Sequence, residues 1–184
     1  MPFRRIRERR RRERIAHDLY SAIIHQSRQP QFYLNGAVPD TLDGRFELIV
    51  LHSFLVMRRL NHMPVERTEE AKALSQALFD LMFDDMDQNL RELGVGDMSV
   101  GKKVKQMAQA FYGRVAAYED GLAVGEAALA EALRRNLYGT LENVSAPVIA
   151  MAAYVMRQNS VLSGLADEMV MDGGVVFAET GDLA

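Results

Sequence analysis

From Ala71 to Leu122 the apolar residues return at steps of three and four. They run first as Ala71, Leu74, Leu78, Met82, Met86, Leu90 and Leu93, then as Val100, Val104, Met107, Phe111, Val115, Tyr118 and Leu122. That period puts each set on one stripe of an α-helix, and a helix with one apolar stripe has to bury it against a partner. Thr68 and Ser99 stand where capping oxygens start such helices, and Gly94 where a left-handed residue ends one. A first helix carries Ile15, Leu19, Ala22 and Ile23 and reaches about Ser27, with Pro30 as its stop. A second, from about Asp43 to Asn61 with capping oxygens from Asp40, Thr41 and Asp43, is apolar round most of its circumference and so belongs at the centre. A fifth covers about Gly125 to Tyr138 with Gly139 as its cap. A sixth starts at Ser145 with Pro147 in its first turn, breaks between Asn159 and Gly164, and resumes to about Met171. Arg28 to Gly44, rich in Gly, Pro, Asn and Asp, reads as a long ordered loop with one turn around Pro30 to Leu34.

The expected fold is therefore all-α: a single compact domain of about six helices over residues 15–174. A basic arm over residues 1–14 extends the first helix, and residues 175–184 form a short extended tail. The 184 residues, 48% hydrophobic and 26% charged, suit one globular core. The chain has no cysteine, which excludes disulfides, thiolate metal sites, iron–sulfur clusters and a cysteine nucleophile. The uncharged stretches worth testing, Leu48 to Met57 and Asn143 to Met156, fall short of the roughly 20 residues of a membrane-spanning helix.

The net charge of −3 conceals an asymmetry, because residues 1–14 hold eight Arg and two Glu. Phe3 and Ile6 are the arm's only large apolar residues, so it has neither the face of a membrane-embedded helix nor the apolar centre of a secretory signal. Arg4, Arg5, Arg7, Arg9, Arg10, Arg11, Arg12 and Arg14 are candidates for contact with an anionic surface, lipid or RNA; the plainer reading is a solvated extension of the first helix. Residues 69–97 hold eight acids and two bases, whereas 98–114 hold Lys102, Lys103, Lys105 and Arg114 with no acid, so the third and fourth helices are natural neighbours. Asp80, Asp84, Asp87 and Arg91 share one helical face, and Arg45, His52 and Arg59, spaced by seven, share another. These stripes form a buried polar network, line a groove, or lie as solvated edges. Gly113, inside a helix, marks either a close backbone approach or neutral tolerance.

None of His17, His25, His52 and His62 sits in an HExxH or Glu-x-x-His pattern, no G-x-S-x-G elbow occurs, and the glycines of GVGDMSVG follow a helix and not a strand. No enzyme, no cofactor and no metal are expected, and His52 reads as a lone helix-edge histidine and not a haem ligand.

Three strings carry a resemblance: VPDTLDGRFELIVLH (Val38 to His52), LFDLMFDDMDQNLRELGVGDMSVGKKVKQM (Leu78 to Met107) and AFYGRVAAY (Ala110 to Tyr118). They resemble the ubiquinol–cytochrome c chaperone family over roughly residues 15–125, with the C-terminal third matching only as helices. The resemblance implies a helical, non-catalytic assembly factor for respiratory complex III that binds newly made cytochrome b. It would act in a bacterial cytoplasm or on an equivalent matrix face, peripheral on the inner membrane. The residues expected to touch the partner are a polar rim of Asp40, Asp43, Arg45, Asp87, Arg91, Glu92, Lys103 and Arg114, with Met82 and Met86 as adaptable apolar contacts beside Met98 and Met107. The alternative is a membrane- or ribosome-docked adaptor with an unrelated client; sequence-specific nucleic-acid binding is not expected on either reading.

Overall fold

The computed structural model describes residues 2–139, 141, 144–181 and 183; Met1 of the arm and Asp182 and Ala184 of the tail lie outside the described residues. Among these, six long helices form the body: α1 (Pro2–Ser27), α3 (Leu42–Asn61), α4 (Thr68–Glu92), α5 (Asp97–Val124), α6 (Glu126–Asn136) and α7 (Ser145–Ser163). Two short helices, α2 (Gln31–Leu34) and α8 (Asp167–Met171), and a 3₁₀ turn at Val65–Arg67 complete the set. The arm is continuous with α1, and residues 174–179 run without strand pairing. No described helix is long and apolar enough to cross a membrane.

Helix α3 is buried on nearly every side because it serves two cores at once. Phe46, Ile49, Val50, Met57 and Leu60 pack with α1 and α4 around Leu19, Ile23, Leu78 and Met82. Leu48, Leu51, Phe54 and Leu55 pack with α6 and α7 around Leu129, Leu133, Met151 and Tyr154. Each fully buried leucine in these sets stabilises the fold by about 1.5–3 kcal/mol over leaving it exposed. Helix α5 bridges the two, giving Phe111 to the first and Tyr118 to the second. Helices α1 and α4 run parallel: Arg11 reaches Glu70 at 3.0 Å, and Tyr20 donates to Asp85 at 2.7 Å.

Several helix ends differ from the sequence expectation. Thr68 and Ser99 are not caps: α4 is preceded by Arg67 and α5 by Gly96, neither giving a side-chain cap, and the Thr68 hydroxyl bonds back to the Pro64 carbonyl at 3.4 Å. At α4 the 3₁₀ turn Val65–Arg67 leads directly into the helix. Gly139 is not the cap of α6, which closes on Leu137. Thr41 and Gly94 hold their expected places, Thr41 Oγ1 accepting from the Gly44 N–H at 3.1 Å and Gly94 taking φ +81°. Leu93, expected on the apolar stripe of α4, is 63% exposed.

The loop between α1 and α3 is fastened by Phe32 and Val38 in the core and by the Tyr138 hydroxyl, which donates to the Gly36 carbonyl at 2.6 Å. It lies so close over α3 that a Cβ on Gly44 would sit 2.0 Å from the Pro39 carbonyl oxygen, which only glycine avoids. The loop thereby becomes a wall.

Candidate partner-binding groove

That wall encloses one side of an open groove of about 1170 Å³. The rest comes from the start of α3, the last turns of α4, the first half of α5 and the residues closing α6. Phe46, Ile49, Met86, Leu90 and Met107 give it an apolar floor, and Leu42 and Leu93, both more than half exposed, add apolar edges. Across the floor Glu47 on α3 meets Arg114 on α5 through two parallel N–H···O contacts, with Arg114 also donating to the Ala110 carbonyl at 3.1 Å. Burial pushes the Glu47 carboxyl above the usual carboxylate range, and Arg114 pulls it partly back. At the rim Arg45 holds Asp40 at 2.7 Å in open solvent, which lowers the Asp40 carboxyl. The lining charges number five cations (Arg28, Arg45, Lys103, Arg114, Arg135) and five carboxylates (Asp40, Asp43, Glu47, Asp85, Glu92), so the groove has both signs and no net charge.

Of the partner-contact residues expected from sequence, Asp40, Asp43, Arg45, Met86, Glu92, Lys103 and Arg114 line this groove together. Met82 does not: it is fully buried and packs in the core. Asp87 and Arg91 pair with each other at 2.5 Å, and Arg91 also reaches Asp97, on the flank of α4 away from the lining. Met98, 99% exposed, stands apart from Met86 and Met107. Sequence reading missed Glu47, although it is the single carboxylate between Gly44 and Leu60 and so required a partner. Arg28, Tyr33, Asp85 and Arg135 were missed because tertiary packing alone gathers them here.

The stripe of Arg45, His52 and Arg59 does not exist as a charged edge. Only Arg45 is in solvent; His52 is fully buried and Arg59 nearly so. His52 Nδ1–H donates to the Leu48 carbonyl at 2.7 Å, so its Nε2 accepts from the Tyr154 hydroxyl at 2.8 Å. Gln26 donates to the same hydroxyl at 2.8 Å, and Gln158 both donates to and accepts from the Ala178 backbone, at 2.9 and 2.8 Å, fastening the tail. Burial lowers the imidazole to about 4, which keeps it neutral. Arg59 donates to the Leu162 and Leu165 carbonyls and holds Asp167 at 2.5 Å, tying off the end of α7. Both residues hold structure together. Among the described residues no three His, Asp or Glu converge as a metal-binding set.

Residues 35–177, which hold the groove except for Ser27, Arg28 and Tyr33, match the ubiquinol-cytochrome C chaperone family. The chain belongs to this family. A crystal structure of the Cbp3 homolog from Brucella abortus, another likeness, superposes with a TM-score of 0.84 at 36% identity, covering 98% of each chain. The chain is also similar to ubiquinol-cytochrome-c reductase complex assembly factor 1 of Xenopus laevis, 22% identical over 86% of this chain and 78% of that one. Protein CBP3, mitochondrial, of Saccharomyces cerevisiae is 28% identical over 82% of this chain but 45% of its own length. This family member thus spans less than half of its yeast relative.

Proposed function

We propose that this protein is a non-catalytic assembly factor for the ubiquinol–cytochrome c reductase complex. It holds a newly made subunit, cytochrome b, in the groove between α3, α4 and α5, at the cytoplasmic face of an inner membrane or its matrix equivalent. The observation that carries this reading is the composition of the groove: an apolar floor with two flexible thioethers, Met86 and Met107, inside a ring of balanced charge. Thioether side chains adapt to irregular apolar surfaces, and charges of both signs set orientation more than affinity. An apolar segment with polar ends is the chemistry such a groove accepts. The names of the animal relatives, assembly factors of that complex, support the choice of complex. Residues 15–174 act as the chaperone domain.

The test places a photo-cross-linking side chain at Leu93 or Lys103, on the groove, and at Val124, away from it, in the native host during synthesis of the complex. Groove positions are expected to capture cytochrome b and Val124 to miss it. Recovery of ribosomal or unrelated membrane proteins without cytochrome b sinks the proposal.

A further inference from the structure

Helix α1 presents more than its arm. Arg7, Arg10, Arg14, His17, His25 and Arg28 follow one another at steps of three, four, three, eight and three, and all six are exposed. At 100° per residue they fall within an arc of about 80°, on the side opposite Ile15, Leu19 and Ile23, and they extend over about 32 Å of helix. No carboxylate falls within this arc, although the exposed Asp18 lies about 20° beyond its edge. The acids of α1 are Glu8, Glu13 and Asp18; Glu8 and Glu13 are held by Arg4 and Arg9, and Asp18 lies beside Gly173. The remaining arginines separate from it as well: Arg11 is committed to Glu70 and Asp172, and Arg12 is half-buried. Those two anchors from Arg11 lock the line in register with the body.

We propose that this solvent face of α1, from Arg7 to Arg28, is a peripheral docking face for an anionic phospholipid bilayer. The shared chemistry is attraction to phosphate, and geometry selects the bilayer as its source. A straight, one-sided row of four arginines and two histidines meets a plane at every member at once. Reading of single-stranded RNA uses large aromatic rings for stacking, and this line carries no Phe, Tyr or Trp; its only rings are the imidazoles of His17 and His25, and Tyr20, beside its middle, is buried and bonded to Asp85. Ile6, half exposed at the edge of the row, is too little to embed the helix, so binding is electrostatic and reversible. Arg28, the last member, also lines the groove, so docking along α1 brings the groove mouth to the headgroups.

The experiment is flotation of the full chain with vesicles of phosphatidylcholine containing about 30% phosphatidylglycerol, against phosphatidylcholine alone, at rising salt. Binding is expected on the anionic vesicles only, and it weakens steeply with salt. Arg7→Glu, Arg10→Glu and Arg14→Glu together lower the partition on the order of 100-fold, and Arg28→Glu alone lowers it several-fold. The same net charge change at Lys102→Glu, Lys105→Glu and Arg134→Glu, off this face, alters it far less. Circular dichroism and melting confirm that each variant is folded, and the salt series on the natural chain decides the matter if one is not. Equal loss in the off-face variant, no effect of Arg28→Glu, or capture by RNA with no capture by anionic vesicles overturns the proposal. The vesicles hold no protein client, so this outcome is independent of the groove reading.

Discussion

At the start of α3 Glu47 faces Arg114 across the groove floor as a charged pair with one edge in water, while about one and a half turns further along His52 is kept neutral and sealed beneath the tail. Both sites bury a titratable side chain of the same helix. At the first, a carboxylate is balanced by a guanidinium that is 20% exposed and open to an arriving partner. At the second, the imidazole finds only neutral groups: a carbonyl, a hydroxyl, and the rings of Phe32, Tyr154 and Phe177. An apolar pair of equal volume would hold the groove floor about as well as an ion pair does. Charge there serves what enters, whereas the neutral network serves a contact that stays closed.

The largest effect expected from this contrast is at the groove. Arg114→Ala strands Glu47 in a nearly buried position and should cost about 3 kcal/mol, lowering the melting temperature by about 6–12 °C. The double change Glu47→Leu with Arg114→Leu should restore most of it. A melting curve unmoved by Arg114→Ala would mean that the pair is not buried in solution.

A slightly smaller effect belongs to His52 and has a sign. Its folded-state value of about 4 lies below the 6.5 of an unfolded histidine, so the folded protein binds fewer protons in between. The stabilisation is complete above pH 6.5 and is lost as pH falls towards 4, amounting to about 2.5 kcal/mol by pH 4.5. His52→Gln, which cannot titrate, should flatten that part of the pH–stability profile relative to the natural chain. Parallel profiles would show that other groups carry the acid sensitivity.

The smallest effect on stability is expected at Arg45, whose pair with Asp40 stands in open solvent. Arg45→Glu should leave the melting temperature unchanged while reducing cross-linking of the client from Leu93. Loss of folding would move Arg45 from the groove rim to the framework.

Helices α4 and α5 were legible because their stripes repeat over seven positions each, and the groove was legible where charge gathers in the loop before α3, at the end of α4 and along α5. What sequence could not decide was which side of α3 meets solvent. Spacing by seven puts Arg45, His52 and Arg59 on one line, yet the helix passes from the molecular edge into the space between two cores, so residues on one line meet different surroundings. The glycines teach the same lesson. Gly113 is exposed, and a Cβ added there would meet nothing within 4 Å, which leaves tolerance as its explanation, whereas a Cβ on Gly121 would come 2.8 Å from Leu129 Cα where α5 and α6 pack. Both lie inside α5; only the partner helix tells them apart.

The fastening of the tail has a consequence in time. Gln26 is joined to Ala178 across 152 positions and Arg11 to Asp172 across 161. During synthesis α1 leaves the ribosome before α8 and the tail, so these clasps cannot close until Asp172 and Ala178 have followed. Contacts of such long sequence separation are slow to form, because the loop entropy is lost before they return anything. The apolar side of α1 meets α3 and α4 well before this, but the polar clasps that tie α1 to the tail are among the last contacts to close.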